Sequence, residues 1–153
     1  MTPLKLTVAA ALIAGAALGI GGYTFIYAEG ASYFGHDASA CANCHVMNDH
    51  YAAWMKGSHS DVATCNDCHT PPGTVSKYLT KASSGWRHAS AFTTGGFPER
   101  LQITESGARV TEQACRSCHE EMTAVMTAGH DGAENGDGVS CVRCHADVGH
   151  WVR

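Results

Sequence analysis

Hydrophobic positions are concentrated at the amino terminus of this chain, where residues 6–28 include no charged side chain. This run of 23 residues is long enough to span a bilayer, because a membrane-spanning helix needs about 20 mainly apolar residues. Lys5 precedes the run and Glu29 follows it, so the positive-inside rule places the amino terminus in the cytoplasm and the rest of the chain outside. The pattern predicts a transmembrane anchor over residues 1–29 and a second domain over residues 30–153.

The composition of this apolar segment leaves two interpretations open. Small residues at positions 28–31 resemble a signal-peptide cleavage site, and cleavage there would release the rest of the chain in soluble form. The apolar region of a cleaved signal usually covers only about 7–15 residues, so the length favours a retained anchor. Gly15 and Gly19 have the G-x-x-x-G spacing that lets two helices approach closely in lipid, which is compatible with a homodimer.

Beyond residue 30 the hydrophobic pattern is broken into short segments. The spacing of apolar and aromatic residues predicts three helices, over residues 47–56, 74–91 and 111–129. Runs rich in glycine, proline and small polar residues separate them, at positions 70–73, 93–98 and 131–138. We therefore predict a mainly α-helical fold with much irregular structure and little or no β-strand.

All eight cysteines belong to four C-x-x-C-H motifs. This motif attaches c-type haem, because two thioethers hold the edge of the porphyrin and the following histidine binds the iron. A cysteine pair can also mark a zinc site or a disulfide, but chance would place a histidine after all four pairs only roughly twice in a hundred thousand cases. Four covalent haems are therefore predicted at the motif cysteines, which are Cys41, Cys44, Cys65, Cys68, Cys115, Cys118, Cys141 and Cys144.

The size and charge of the chain indicate what fills its domain and argue against a nucleic-acid-binding function. About 125 residues outside the anchor would surround four haems, too few for an ordinary side-chain core, so the haems themselves should form the core of a compact domain. The formal net charge of -4 is spread over the sequence and gives no basic surface for nucleic acid. Because c-type haem is attached outside the reducing cytoplasm, we expect this domain to be exported.

Histidine is abundant, with 10 residues, and indicates how the irons are ligated. The four motif histidines are candidate iron ligands: His45, His69, His119 and His145. His59 lies six residues before Cys65, and His150 lies five after the last motif, so each is expected to bind the iron of a haem other than its neighbour. His36 and His50 are expected at the surface. Iron with two histidine ligands suits electron transfer.

Lys77, Lys81 and His88 fall near one face of the helix predicted over residues 74–91, because they are separated by four and seven residues. A solvated basic face is the plain explanation of such a cluster.

These features together resemble the membrane-anchored tetrahaem cytochromes of the NapC/NirT/NrfH family, and within it the NrfH branch, the small subunits of cytochrome c nitrite reductase. The resemblance covers nearly the whole chain. It rests on the single anchor, the spacing of the four motifs, Met47 two residues after the first motif, Lys81, and His150 five residues after His145. The segment Gly-Trp-Arg-His that begins at Gly85 is also similar to the NrfH branch.

The resemblance implies an unusual first haem and an incomplete fourth one. In the family the first iron is bound by the methionine that corresponds to Met47 rather than by the motif histidine, here His45. A thioether is a weaker ligand than imidazole and raises the haem potential, which helps a haem that must accept electrons. The fourth iron would be bound by His145, and its second ligand would be a lysine of the catalytic partner, His130 or none.

The same resemblance implies two histidine pairs. His69 and His150 would bind the iron of the second haem, and His119 and His59 would bind that of the third. Each pair joins a motif histidine to a histidine distant in sequence, so the pairs would tie separate parts of the domain together.

The resemblance further implies a function. The chain would be a quinol dehydrogenase of the bacterial inner membrane, with its haem domain in the periplasm and menaquinol as substrate. Electrons would pass through the haems to a pentahaem periplasmic nitrite reductase, so that the chain acts as an electron-transfer subunit of an enzyme complex. Lys81 matches the family's quinol-site lysine, whereas His88 stands where some members carry aspartate and would accept a proton or bind the first iron.

Three alternatives to this function remain. The chain would feed another periplasmic reductase, or act as a soluble periplasmic shuttle after cleavage of the signal. It would otherwise be an enzyme that reduces a small oxyanion at an open haem, since an iron with a free face suits substrate chemistry.

Overall fold

The structure, a computed structural model, describes residues 2–98, 100–127 and 140–150. All regular secondary structure in these ranges is helical, which confirms the prediction of a mainly α fold. Seven α-helices follow one another in the described residues: α1 (Pro3–Tyr27), α2 (Asn48–Met55), α3 (Cys65–His69), α4 (Thr74–Thr94), α5 (Glu105–Cys118), α6 (Glu120–Thr127) and α7 (Cys141–Cys144). Three short 3₁₀ helices lie between α1 and α2, at Gly30–Phe34, Ala38–Asn43 and His45–Met47.

Helix α1 is the apolar segment predicted as the anchor. It has 25 residues, its most apolar 18-residue stretch has a mean hydropathy of 1.9, and no residue of the helix is buried against the rest of the chain. At 1.5 Å per residue it is about 37 Å long, enough to cross the hydrocarbon core of a bilayer. Pro3 at its first position suits a helix start, since proline lacks only an N–H that has no partner there. The rings of Tyr23 and Tyr27 stack near its end with centroids 6.0 Å apart.

The chain turns sharply where α1 ends. Glu29 has φ 50° and ψ 39°, and it is the one non-glycine residue with positive φ in the described part of the chain. A Cβ on Gly30 would lie 2.4 Å from the Phe25 ring, so any larger residue there would have to displace that ring. The next segment is then fixed to the domain, because the Asn43 side-chain amide donates to the Ser32 hydroxyl at 3.0 Å. The domain boundary at residue 30 stays a prediction.

The polypeptide buries very few of its own side chains. Ala38 and Ala40 are the buried residues among those described, whereas Val62 and Trp86 are 79% and 78% exposed. Contacts between elements are concentrated where α3 packs against α5 and where α2 packs against Ala38–Asn43. A domain of this kind needs a further apolar component to stabilise it, since side-chain burial supplies most of the driving force for folding.

Helices α2 and α4 lie where the sequence predicts them. Helix α4 continues to Thr94 and ends at Gly95, whose φ of 72° is the left-handed conformation usual after a helix C-terminus. The prediction of one helix over 111–129 was wrong in two respects. Helix α5 already begins at Glu105, where the Thr104 hydroxyl accepts from the Gly107 N–H at 3.2 Å, and the α-helix is interrupted at His119 before α6.

Candidate haem-attachment sites

Seven of the eight motif cysteines lie on helical turns, whereas Cys44 has an extended backbone between two 3₁₀ helices. The second motif forms the whole of α3, the cysteines of the third lie in the last turn of α5, and those of the fourth lie in α7. The first motif begins within the 3₁₀ helix Ala38–Asn43. A helical turn brings residues three and four apart to one side, so both cysteines could reach the edge of one haem and the following histidine could reach its iron. None of the eight cysteines forms a disulfide, and no group of three or more His, Cys, Asp and Glu side chains in the described ranges is arranged to hold a metal ion by itself.

The second motif is folded by its own neighbours. Asp67, between the two cysteines, accepts hydrogen bonds from the N–H and the hydroxyl of Thr64, both at 2.8 Å. These bonds are part of a capping box that starts α3, and the bond from the Thr64 N–H is the main reason that the pKa of Asp67 is lowered. The residues between the cysteines therefore determine the local helix that presents them.

His59 and His119 are brought together from the loop before α3 and the end of α5. Their ring centroids are 6.1 Å apart. The Nδ1–H of His59 can donate to the Val148 carbonyl at 3.1 Å, which leaves Nε2 as the ring nitrogen available to a metal. The backbone at Gly57 and the backbone at Gly149 lie very close together here, since a Cβ on Gly57 would lie 2.9 Å from the Gly149 carbonyl oxygen.

His69 and His150 form a second pair. Their ring centroids are 5.9 Å apart and the rings are inclined by 21°. His50 contacts the same cluster, because its Nδ1 lies 3.4 Å from Nδ1 of His150. As for His59 in the first pair, this contact leaves Nε2 of His150 available to a metal. The expectation that His50 lies at the surface is wrong: the residue is half-buried against His150.

Both pairs have the dimensions that an axially ligated haem requires. Two imidazoles that share one metal, with metal–nitrogen bonds of about 2 Å, have ring centres about 6 Å apart. The two measured separations agree with this value. These separations are compatible with one haem iron held by His69 and His150 and another held by His119 and His59.

The first motif lies beside the end of α1. The Tyr33 hydroxyl is 3.6 Å from Sγ of Cys44, and the two candidate ligands His45 and Met47 begin and end the next 3₁₀ helix. His45 is exposed and Met47 is half-buried. The electron-accepting haem expected at this motif would therefore be close to the membrane surface.

Lys81 joins α4 to the segment that follows the anchor. Its ammonium donates to the carbonyls of Tyr33 and Gly35, at 2.7 and 2.8 Å. An ammonium has three N–H donors, so one remains for a ligand. Desolvation, and then the charge of Lys77, lowers the pKa of Lys81. Lys77 itself contacts the ring nitrogens of His36, at 3.1 and 3.2 Å, and does not share these carbonyls.

His88 is on the same helix, two turns after Lys81. Seven residues at 1.5 Å rise place it about 10 Å further along α4, so the two side chains are aligned but not in contact. The side chain is exposed, yet desolvation by neighbouring atoms, followed by the charge of Arg87, lowers its pKa. A histidine with a lowered pKa is neutral near pH 7 and can accept a proton.

The fourth motif is held by a residue that the sequence analysis missed. Glu112 of α5 accepts hydrogen bonds from Ser140, Cys141 and Val142 at the start of α7. Nothing in the local pattern distinguishes this glutamate from its neighbours. His145 is exposed at the end of α7. His130, the proposed substitute ligand, and the predicted loop at 131–138 lie outside the described residues.

Comparison with known proteins identifies a family and its members to which the chain is similar. The family model described as "NapC/NirT cytochrome c family, N-terminal region" matches residues 1–153. The chain is 39% identical over 141 residues to the cytochrome c-type protein NrfH of Wolinella succinogenes, covering 88% of this chain and 80% of that protein. It is 32% identical over 133 residues to the cytochrome c-type protein NapC of Escherichia coli K12, covering 72% and 66%.

A solved structure is also similar. A chain in the crystal structure of the cytochrome c nitrite reductase NrfHA complex bound to the HQNO inhibitor matches with a TM-score of 0.62 and 25% identity. The match covers 94% of this chain and 88% of that chain. The resemblance seen in the motifs is thereby confirmed, and with the haem-sized spacing of the histidine pairs it leads to one conclusion: the chain belongs to the NapC/NirT family of cytochromes c and binds haem c covalently.

Proposed function

We propose that this chain is a membrane-anchored quinol dehydrogenase that passes electrons to a cytochrome c nitrite reductase. The observation that carries the proposal is the position of Lys81, whose ammonium binds the segment directly after α1 and lies beside the first motif. A quinol dissolved in the membrane would meet the protein at this point. The similarity to NrfH and to the NrfHA complex supports a nitrite reductase as the electron acceptor.

The cofactors would be four haems, one at each motif. Bound haem c carries one electron at a time between its ferrous and ferric states. The centroid distances of 5.9 and 6.1 Å support His69 with His150 and His119 with His59 as the ligands of the second and third irons. The other proposed ligands are Met47 for the first iron and His145 for the fourth.

Lys81 and His88 would act as the catalytic residues of the quinol site. Oxidation of a quinol releases two protons as well as two electrons, so the site needs a hydrogen-bond donor that orients the quinol oxygen and a group that accepts a proton. The third N–H of Lys81 can donate to that oxygen. His88, whose pKa is lowered, can accept a proton and release it to solvent through its exposed side.

The membrane topology follows from the anchor. Residues 1–29 would cross the inner membrane and residues 30–153 would form the periplasmic domain. Menaquinol is the proposed substrate, and a pentahaem catalytic subunit is the proposed partner, with a lysine of that subunit completing the fourth haem. A Cβ added at Gly15 or Gly19 would meet no atom within 4 Å, so this face of α1 has room for a second copy of the helix.

A vesicle experiment tests the proposal. The full-length, haem-loaded chain would be reconstituted in phospholipid vesicles with a reduced menaquinone analogue, and haem reduction would be followed by absorbance. We expect reduction by the quinol and transfer to nitrite only after a cytochrome c nitrite reductase is added. No reduction by quinol contradicts the proposal, and nitrite turnover by the chain alone supports the oxyanion-reductase alternative. Intact-mass measurement that finds residues 1–28 missing would support the soluble shuttle.

A further inference from the structure

The carboxylate of Glu112 binds the first turn of α7 from a different helix. Its Oε1 accepts from the Ser140 hydroxyl at 2.5 Å and from the Val142 N–H at 3.1 Å, and its Oε2 accepts from the Cys141 N–H at 2.9 Å. The first N–H groups of a helix have no acceptor within the helix. Ser140 occupies the usual capping position but makes no capping bond of its own, so Glu112 supplies the acceptor.

This contact joins the third and fourth motifs. Glu112 is on α5, one helical turn before Cys115, and its three donors are 28 to 30 residues further along the chain. The carboxylate therefore holds the backbone of Cys141 directly. As a result, the first cysteine of the fourth motif is fixed relative to the first cysteine of the third.

The charge state of Glu112 suits this contact. The residue is half-buried, and burial alone would raise its pKa. The hydrogen bonds from Ser140, Cys141 and Val142 together outweigh burial, so the pKa is lowered and the side chain is ionised at neutral pH. Hydrogen bonds to an ionised carboxylate are roughly twice as strong as neutral ones, and a negative charge is favourable at a helix N-terminus.

We propose that Glu112 is a positioning residue for the fourth haem: its carboxylate fixes the helix that carries Cys141 and Cys144 against the helix of the third motif, and its charge lowers the reduction potential of the haem attached there. A nearby negative charge favours the ferric over the ferrous state, and hydrogen bonds and charge near a haem are among the features that set its potential. The inference rests on the proposed attachment of a haem at the fourth motif.

Three variants of the full-length haem-loaded chain test it. Glu112→Gln removes the charge with little change of shape, Glu112→Asp keeps the charge, and Glu105→Gln is the control. Glu105 lies on the same helix but is exposed and pairs with Arg109, at 3.2 Å. The measurements are haem content per chain and the four midpoint potentials from a spectroscopic redox titration. A haem content below four in the wild-type chain would refute the proposed fourth haem, independently of Glu112.

The expected result in Glu112→Gln is a raised midpoint potential of the fourth haem, a smaller rise for the third haem, whose Cys115 is also near the carboxylate, and no change in the other two. Glu112→Asp should restore both potentials towards the wild-type values, and Glu105→Gln should leave all four as they are. Unchanged potentials in Glu112→Gln would overturn the inference. If Glu112→Gln instead contains only three haems, four haems in Glu112→Asp support a role for the carboxylate, whereas an equal loss in both variants contradicts it.

Discussion

Replacing Lys81 by methionine tests the quinol site most directly. Methionine keeps most of the apolar stem and removes the ammonium, so the change isolates the charge and its hydrogen bonds. In the native chain two of the three donors of Lys81 are used by the carbonyls of Tyr33 and Gly35, at 2.7 and 2.8 Å. The substitution therefore removes both the bond proposed to the quinol and two bonds between α4 and the segment after the anchor.

The size of the effect follows from these bonds. A hydrogen bond from a charged donor contributes about 1.5–3 kcal/mol, which corresponds to a fall of roughly 10- to 150-fold in kcat/KM if it is lost in the transition state. The two carbonyl bonds are exposed, so solvent screening limits their combined contribution to stability to about 1–2 kcal/mol. Activity should therefore fall much more than stability.

The assay is reduction of the haems by a menaquinol analogue in vesicles, compared with reduction by dithionite. Lys77→Met is the matched control: Lys77 lies one turn earlier on α4 and contacts His36 instead of the backbone carbonyls. We expect a large loss for Lys81→Met, full reduction of both variants by dithionite and a change below about twofold for Lys77→Met. Equal rates for Lys81→Met and the wild type, or equal losses in both variants, would refute the argument.

Three further predictions concern the haem ligands and Glu112. His59→Ala and His150→Ala should each retain all haems but convert one from low spin to high spin in electron paramagnetic resonance, and His36→Ala should not; an unchanged spectrum would rule out the histidine as a ligand. Met47→His should lower one midpoint potential, because imidazole replaces the weaker thioether, and no change would indicate His45 as the ligand. The stability that Glu112 contributes should be present above its usual pKa of 4.5 and lost as the pH falls through its lower pKa in the folded state. The difference in melting temperature between wild type and Glu112→Gln should therefore shrink below about pH 4.5, and a constant difference across that range would contradict this.

The elements predicted correctly are those with a strong local signal. The uncharged run at residues 6–28 became α1, and the regular apolar spacing after residue 74 became α4. The start of α5 at Glu105 was missed because Gly107 and the irregular spacing around it weaken the helical pattern. Its capping residue, Thr104, is nevertheless a typical helix-start residue and could have located the boundary.

The candidate site, like the fold, could be predicted only where the sequence signal is local. The cysteine motifs are local and could be recognised from the sequence, whereas the histidine pairs came only from resemblance to a family. His50 and Glu112 were missed because their contacts join residues 100 and 28 to 30 positions apart, and no periodicity of the chain reflects such a separation. A half-buried histidine or glutamate can be identified only when the fold shows what it faces.

The turn at Glu29 and Gly30 has a consequence for how the domain follows the tilt of helix α1. A left-handed residue costs about 1–2 kcal/mol, and the contact of Gly30 with the Phe25 ring leaves the chain little freedom to leave α1 in another direction. Helix α1 and the proposed quinol site should therefore change their orientation in the membrane together, as one rigid unit. Because transmembrane helices tilt to match the thickness of the bilayer, a thinner membrane would change the depth at which Lys81 meets the lipid headgroups. If Lys81 binds quinol as proposed, the rate of quinol oxidation would then depend on the thickness of the bilayer.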